Sequence, residues 1–207
     1  MAQKYTVIWS GGADSTLALT MYASYSSVQT PVKALTIKGH RQLNKWQLRN
    51  EKKARNVYLK WAKKQGYHVQ HVTAKVEVNS NATSGGQADL WLCHLSPYIE
   101  KDETVVFPYI KSDDFWHIKH EFVTAFNALS GLKRVTREII FPLEWHYKWQ
   151  IVRDLKEWKV PDDCWWTCDQ PNKSKPCGKC LKCKALKEAR RQLVVEKKAS
   201  LKKMVKK

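Results

Sequence analysis

The run Tyr5-Thr6-Val7-Ile8-Trp9 is followed at once by Ser10-Gly11-Gly12-Ala13-Asp14-Ser15, and Ser15–Tyr25 then has the composition of a helix. Read in that order, the stretch is a buried strand, a sharp turn and a helix start. Two glycines let the chain turn tightly and bring backbone N–H groups close to an anion. Ser15 is expected to cap the helix, whose N-terminus adds further donors and the positive end of its dipole. Together these features make a phosphate pocket; the plainer alternative is a glycine turn with no ligand. No Gly-Lys-Ser/Thr follows the glycines, so this is not a Walker A loop.

Outward from this turn, strand-like and helix-like segments alternate. Val32–Ile37 reads as a second strand and Leu48–Lys64 as a long helix ended by Gly66. Tyr67–Val72 alternates like a strand, and Asn79–Gly86 is a polar loop. Leu90–Ile99 reads as a helix, Thr104–Phe107 as a short buried strand, Pro108–Phe115 as a loop and Trp116–Leu129 as a helix. Glu138–Phe141 closes at Pro142, and Trp149–Trp158 is an amphipathic helix. Alternation of this kind predicts an α/β protein with a doubly wound parallel sheet and right-handed crossovers. The pattern breaks near Pro161 into a Cys-rich loop and a Lys-rich helix. Two units are therefore expected: residues 1–160, a nucleotide-binding domain, and residues 161–207, a metal-binding segment with a basic helix.

Cys168, Cys177, Cys180 and Cys183 are spaced C-x8-C-x2-C-x2-C, with Pro176 and Gly178 shaping the turn. Four closely spaced thiolates suit tetrahedral Zn²⁺ and leave no open position for chemistry, so the expected metal is structural. A redox pair or disulfides are the rival. Cys164 and Cys93 receive no role; on an apolar helix face, Cys93 is an ordinary packing residue.

The formal charge is +18 over 207 residues, which nominates polyanions as partners without choosing among them. Part of the excess lies between Lys184 and Lys207. The 10 Trp, including Trp46, Trp61, Trp91 and Trp158 among charged neighbours, are expected to pack the core and cover sheet faces. The first apolar run is too short for a signal core, and no stretch is long enough to span a bilayer. A cytoplasmic, reducing location is the resulting expectation, and there cysteines serve as metal ligands or packed thiols rather than disulfides.

The Ser-Gly-Gly-x-Asp-Ser string resembles the signature of the PP-loop ATP pyrophosphatases, whose fold is adenine nucleotide α-hydrolase-like. With the terminal cysteines, the chain resembles the 7-cyano-7-deazaguanine synthase (QueC) family of queuosine biosynthesis. Phe141-Pro142-Leu143, Lys148, the helix to Trp158, Pro161, Thr167 and Cys168 follow that family's order, and Pro176-Cys177-Gly178-x-Cys180-x-x-Cys183 is the most specific piece. The resemblance implies a ligase that binds ATP through Ser10, Gly11, Gly12, Ala13, Asp14, Ser15 and Thr16, with Mg²⁺ and a structural Zn²⁺. It implies a deazapurine carboxylate and ammonia as substrates. The carboxylate is adenylated, the acyl adenylate becomes an amide, and a second adenylation gives the nitrile. Asp14 and Lys148 are the catalytic candidates, Lys148 steadying phosphate charge or else standing as a plain surface lysine.

The departures fall where an acceptor is read. The family's Asp-Tyr-Ser-Gly-Tyr-Pro-Asp-Cys-Arg segment is replaced by Ser112-Asp113-Asp114-Phe115-Trp116-His117-Ile118-Lys119-His120, ahead of Glu121-Phe122. Gln87-Ala88-Asp89 stands where the family has Arg-Asn. In a doubly wound sheet the loops after the first and fourth strands face each other across the ligand crevice. Asp113 and Asp114 are then candidates for Mg²⁺ or for the N–H edge of a purine-like base, or are simply solvated. A PP-loop ligase acting on another acceptor (a tRNA, a DNA base or a protein) is the first rival. A basic nucleic-acid module using the tail, Lys184 onward, is the second. Family members are often dimers, so a homodimer stays open; no membrane partner is expected.

Overall fold

The computed structural model describes residues 3–39, 45–76, 87–132 and 137–205. Its strands are β1 (Lys4–Ile8), β2 (Val32–Gly39), β3 (Val69–Val76), β4 (Glu103–Val106) and β5 (Glu138–Ile140), and its helices are α1 (Ala13–Ala23), α2 (Lys45–Lys64), α3 (Gln87–Leu95), α4 (Lys119–Leu132), α5 (Lys148–Glu157) and α6 (Leu181–Val205). The five strands form one sheet in the order β3-β2-β1-β4-β5, every pair parallel. Val7 pairs with Ala34 on one side and Val106 on the other, which puts β1 in the centre. The order reverses between β1 and β4, the place where such sheets open a crevice.

Side chains alternate across each strand, so neighbours feed opposite cores. Val7, Ala34 and Val106 join Leu17, Tyr58, Ile151 and Leu155 on the face covered by α1, α2 and α5. Ile8, Leu35 and Val105 join Trp91, Leu95, Phe122 and Phe126 under α3 and α4. Strands buried on both faces have no polar side to show, which is why β4 reads as a short apolar run. Truncating a fully buried aromatic such as Phe107 costs about 3–5 kcal/mol in cores of this kind. Trp61, Trp91 and Trp158 lie partly or wholly in these packed layers, whereas Trp46 is half-buried beside Lys45 and Arg49 of its own helix and Trp145 is 73% exposed.

Several boundaries differ from the sequence reading. β3 begins at Val69 rather than Tyr67 and continues to Val76 rather than stopping at Val72. Gly66 adopts φ +79, and the Tyr67 N–H still bonds back to Ala62, so Tyr67 belongs to the end of α2. Pairing along all of β2, from Val32↔Val69 to Gly39↔Val76, carries β3 onward. Trp116 lies in a 3-10 turn (Asp114–Ile118), so α4 starts at Lys119. Leu90–Ile99 divides into α3 and a short 3-10 turn, Ser96–Tyr98, with Pro97 at its start. The polar loop Asn79–Gly86 lies outside the described residues, as do the side chains of Gln87, Asp89 and Cys93.

At the amino ends of the strands, Glu103 is 2% exposed, accepts from Thr6 and Lys33, and takes the Glu100 N–H at 2.8 Å. This buried pair, far from the crevice, is a structural network; such pairs are costly to break singly. The opposite end of the sheet is left for chemistry.

Candidate functional site

The loop after β1 is shaped by its own short bonds. Gly11 takes φ +90, a region open to glycine, and Gly12 is extended at the start of α1. The Gly12 N–H donates to Ser10 Oγ at 3.1 Å, Ser10 Oγ lies 3.0 Å from Ser15 Oγ, and Ser15 Oγ donates to the Gly12 carbonyl at 3.2 Å. Ser15 is therefore not the helix cap. Gly12 occupies that position with no side-chain cap, because the helix starts two residues earlier than the sequence reading placed it. The uncapped first-turn N–H groups are left for water or a ligand.

Thr16 also differs from expectation. It is fully buried, its Oγ1 receives the Trp9 indole N–H at 3.2 Å, and it does not line the crevice. A helix repeat of 3.6 residues puts Thr16 on the side of α1 opposite Asp14, facing the core. Gly11 likewise shapes the loop without lining the cavity.

Above the switch point lies a cavity of about 640 Å³. Ser10, Gly12, Ala13, Asp14 and Ser15 form one part of its wall; Pro108, Tyr109, Ile110, Ser112, Asp113 and Asp114 form another. The loops after β1 and β4 thus face each other across one space. Lys148, the first residue of α5, completes the contact: its Nζ donates to both Asp14 oxygens, at 2.8 and 2.6 Å, across 134 residues of sequence.

Asp113 accepts the Ile110 N–H at 2.8 Å while its own N–H returns to the Ile110 carbonyl, so it closes its loop as well as facing the cavity. Burial pushes its carboxyl up to about 6; the Ile110 N–H opposes that, and the nearby Asp14 carboxylate adds to it. Behind it, Tyr109 and Phe115 stack at 3.8 Å with planes 3° apart, fixing the wall. Asp114 lines the cavity at the start of the 3-10 turn.

A third wall was not foreseen. Gln47, Leu48, Glu51 and Arg55 from α2, together with Trp166, Thr167, Asp169, Lys182 and Ala185, also line the cavity. The signal was present in sequence: Gln47, Asn50, Glu51 and Arg55 share one helical face with the core residues Ala54, Tyr58 and Ala62. Polar residues where an apolar stripe belongs mark either a polar partner or a ligand. Both occur here. Asn50 donates to the Lys173 carbonyl at 2.8 Å, Gln47 reaches Asp169 at 3.3 Å, and Lys182 pairs with Asp169 at 2.9 Å.

Those contacts bring the cysteine segment against the phosphate loop. The Trp166 N–H donates to the Gly11 carbonyl at 2.8 Å. The Sγ atoms of Cys168, Cys177, Cys180 and Cys183 all lie within 4.8 Å of one another. A tetrahedron with Zn–S bonds near 2.3 Å has S···S separations of about 3.8 Å, so small inward shifts suffice. Two N–H···S bonds, from Cys177 to Cys168 at 3.2 Å and from Cys180 to Cys177 at 3.3 Å, already aim the thiols inward. Burial pushes Cys180 up, but the N–H groups of Cys183 and Asp169 and the neighbouring thiols outweigh it and bring it to about 6. The donor set fits a metal such as zinc. Cys164 lies apart, fully buried in the core, its thiol pushed up to about 12 by that burial.

Fold and site together define an α/β protein with a phosphate-type loop at its switch point and a four-cysteine cluster beside it. The family model described as queuosine biosynthesis protein QueC matches residues 103–194, from the first residue of β4 into α6. The match covers less than half of the chain, and over that stretch the chain is similar to the QueC family. It contains Asp113, Lys148 and all four cysteines, while the phosphate loop precedes it. A comparison with curated proteins found no match. No described helix is long and apolar enough to cross a membrane.

Proposed function

We propose that the chain is an ATP-cleaving, carboxylate-activating enzyme of the QueC type. The observation that carries this reading is the single cavity shared by the glycine loop, the Asp14–Lys148 pair and the Asp113 loop. A nucleotide lying across the switch point has its β and γ phosphates at the glycine loop and its α phosphorus toward β4. A carboxylate oxygen of the acceptor attacks that phosphorus, the α–β bridging bond breaks, and pyrophosphate leaves with the electron pair. Ammonia then attacks the acyl carbon, AMP leaves, and a proton is lost to give the amide. The amide oxygen then attacks the α phosphorus of a second ATP, pyrophosphate leaves, and loss of AMP, which carries that oxygen away, together with the two N–H protons gives the nitrile.

This chemistry asks for positioning and charge stabilisation rather than a protein nucleophile. Asp14 and Lys148 neutralise one another across the cavity wall. Asp14 would hold Mg²⁺, which would supply charge neutralisation at the phosphates, and Lys148 would then meet phosphate oxygen. The uncapped N–H groups of Ala13 and Asp14 complete the anion cradle. Asp113 and Asp114 offer acceptors to the N–H edge of a deazapurine. The four cysteines would hold Zn²⁺, which would fix the cysteine segment of the second unit, residues 161–207, against the nucleotide-binding unit, residues 1–160.

A second reading, adenylation of a different acceptor, is favoured by one observation: Ser112, Asp113 and Asp114, which line the acceptor side of the cavity, stand where the family's acceptor segment has a different sequence. Mass spectrometry of a reaction containing ATP, Mg²⁺, ammonium and 7-carboxy-7-deazaguanine separates the two. A nitrile or amide supports the first reading. AMP and pyrophosphate formed only when cell extract is added support the second, and no ATP cleavage under any condition overturns both.

A further inference from the structure

Arg55 is 3% exposed, yet it lines the cavity. Its guanidinium carries five N–H donors. Nη1 donates to the Ser10 carbonyl, and the nearest carboxylate oxygen, on Glu51, stands 3.9 Å away, beyond the range of a charge-assisted hydrogen bond. Glu51 is itself held toward its neutral form by burial, with only partial relief from Gln47 and Arg55. A desolvated cation so weakly matched is a liability to the free protein. A single neutral donor would satisfy the Ser10 carbonyl equally well, so carbonyl support alone does not account for a charge in this place.

We propose that Arg55 is a phosphate-binding residue of the pocket, contacting the pyrophosphate end of the nucleotide while it holds the loop through Ser10. The proposal rests on the ATP-cleaving reading above and adds a residue from α2 to it. An anion cradle works only if its carbonyls point away from the anion. All three are tied back here: Ser10 to Arg55, Gly11 to the Trp166 N–H, and Gly12 to the Thr16 N–H and Ser15 Oγ. The fit between loop and arginine is close. A Cβ on Gly11 would stand 3.0 Å from Arg55 Cγ, and Gly11 already occupies the φ +90 conformation. Of the other cations described in the same cavity wall, Lys182 is engaged by Asp169 at 2.9 Å and Lys148 by Asp14 at 2.6 Å, whereas Arg55 has its nearest carboxylate oxygen 3.9 Å away.

The test compares wild type, Arg55→Met and Arg55→Lys by calorimetric titration with inorganic pyrophosphate in the presence of MgCl₂, and by thermal unfolding with and without it. The expected result for Arg55→Met is an unfolding midpoint without ligand equal to or above that of wild type. Its pyrophosphate affinity should fall about tenfold or more, and the ligand-induced rise in midpoint should be lost. Arg55→Lys, which keeps the charge but not the fork, should bind between the two. Wild-type affinity in Arg55→Met overturns the proposal. Should Arg55→Met fail to fold, wild-type affinity in Arg55→Lys overturns it instead. If wild type binds neither pyrophosphate nor ATP, the ATP-cleaving reading fails first and takes this one with it.

Discussion

The phosphate loop and the cysteine segment are both short turns marked by glycine, yet they are ordered in opposite ways. Residues 168–183 gather around their own side chains, four thiols within 4.8 Å of one another and tied by N–H···S bonds. Residues 10–15 have a few hydroxyl bonds and no side-chain cap, and much of their order is borrowed. Trp166 holds Gly11, Arg55 holds Ser10, and Lys148 holds Asp14. The first region is a staple drawn together mainly by its own residues, and the second is shaped by its neighbours.

The largest effect should come from breaking the staple. Cys180→Ser is expected to lower zinc content and stability together, by several kcal/mol, because metal binding and folding of such a segment are one process. Pyrophosphate affinity should fall in the same variant, through the lost Trp166–Gly11 bond. Full zinc occupancy, measured by plasma emission spectrometry, would argue against the four-Cys site. Unchanged pyrophosphate binding in a zinc-depleted protein would break the comparison itself.

Next in size are the borrowed contacts. Asp14→Ala should reduce ATP cleavage about 10²–10³-fold with the fold intact, the scale seen when one preorganised charge contact is removed. Turnover at the wild-type rate would sink the phosphate-loop assignment. Lys148→Ala should cost somewhat less, about 10²-fold, since the helix N-terminus still faces the phosphates. Release of labelled pyrophosphate reads both.

The smallest effect concerns pH. The Asp113 carboxyl is raised in the folded state from 3.8 to about 6, mainly by burial. The native protein then holds a proton that the unfolded chain has lost between those values, so stability falls as pH rises through that window. Below about pH 4 both states are protonated and the slope ends. Asp113→Asn should remove this slope and gain about 1–2 kcal/mol relative to wild type near neutrality, a figure already reduced for partial solvent access. Parallel denaturation curves for the two proteins at pH 4, 5, 6 and 7 would show whether the difference grows with pH. A constant difference would mean that Asp113 does not titrate there.

Much of this was legible one segment at a time. The strand–turn–helix of residues 4–23 and the cysteine spacing are local patterns, and local patterns survive folding because they rest on neighbouring residues. Errors gathered where a distant partner decides: β3 runs to Val76 because β2 is there to pair with it. Two local details also moved: Gly12 rather than Ser15 stands at the cap, and Thr16 turns to Trp9, because α1 starts two residues earlier. The third wall was missed because polar positions on the buried face of α2 look unfavourable until the segment they bind is seen.

The sequence alone determined the fold class, the presence of a phosphate-type loop, and four cysteines set to share a metal, since each depends on residue type and short spacing. Tertiary structure alone decided that Asp14 meets Lys148 across 134 positions, that the cysteine segment forms a wall of the cavity at the switch point, and that a buried arginine joins the loop to that cavity. The reason is physical. A spacing constrains atoms a few bonds apart, whereas the partner of a buried charge is fixed by how layers pack, and that is settled only when the whole sheet has closed.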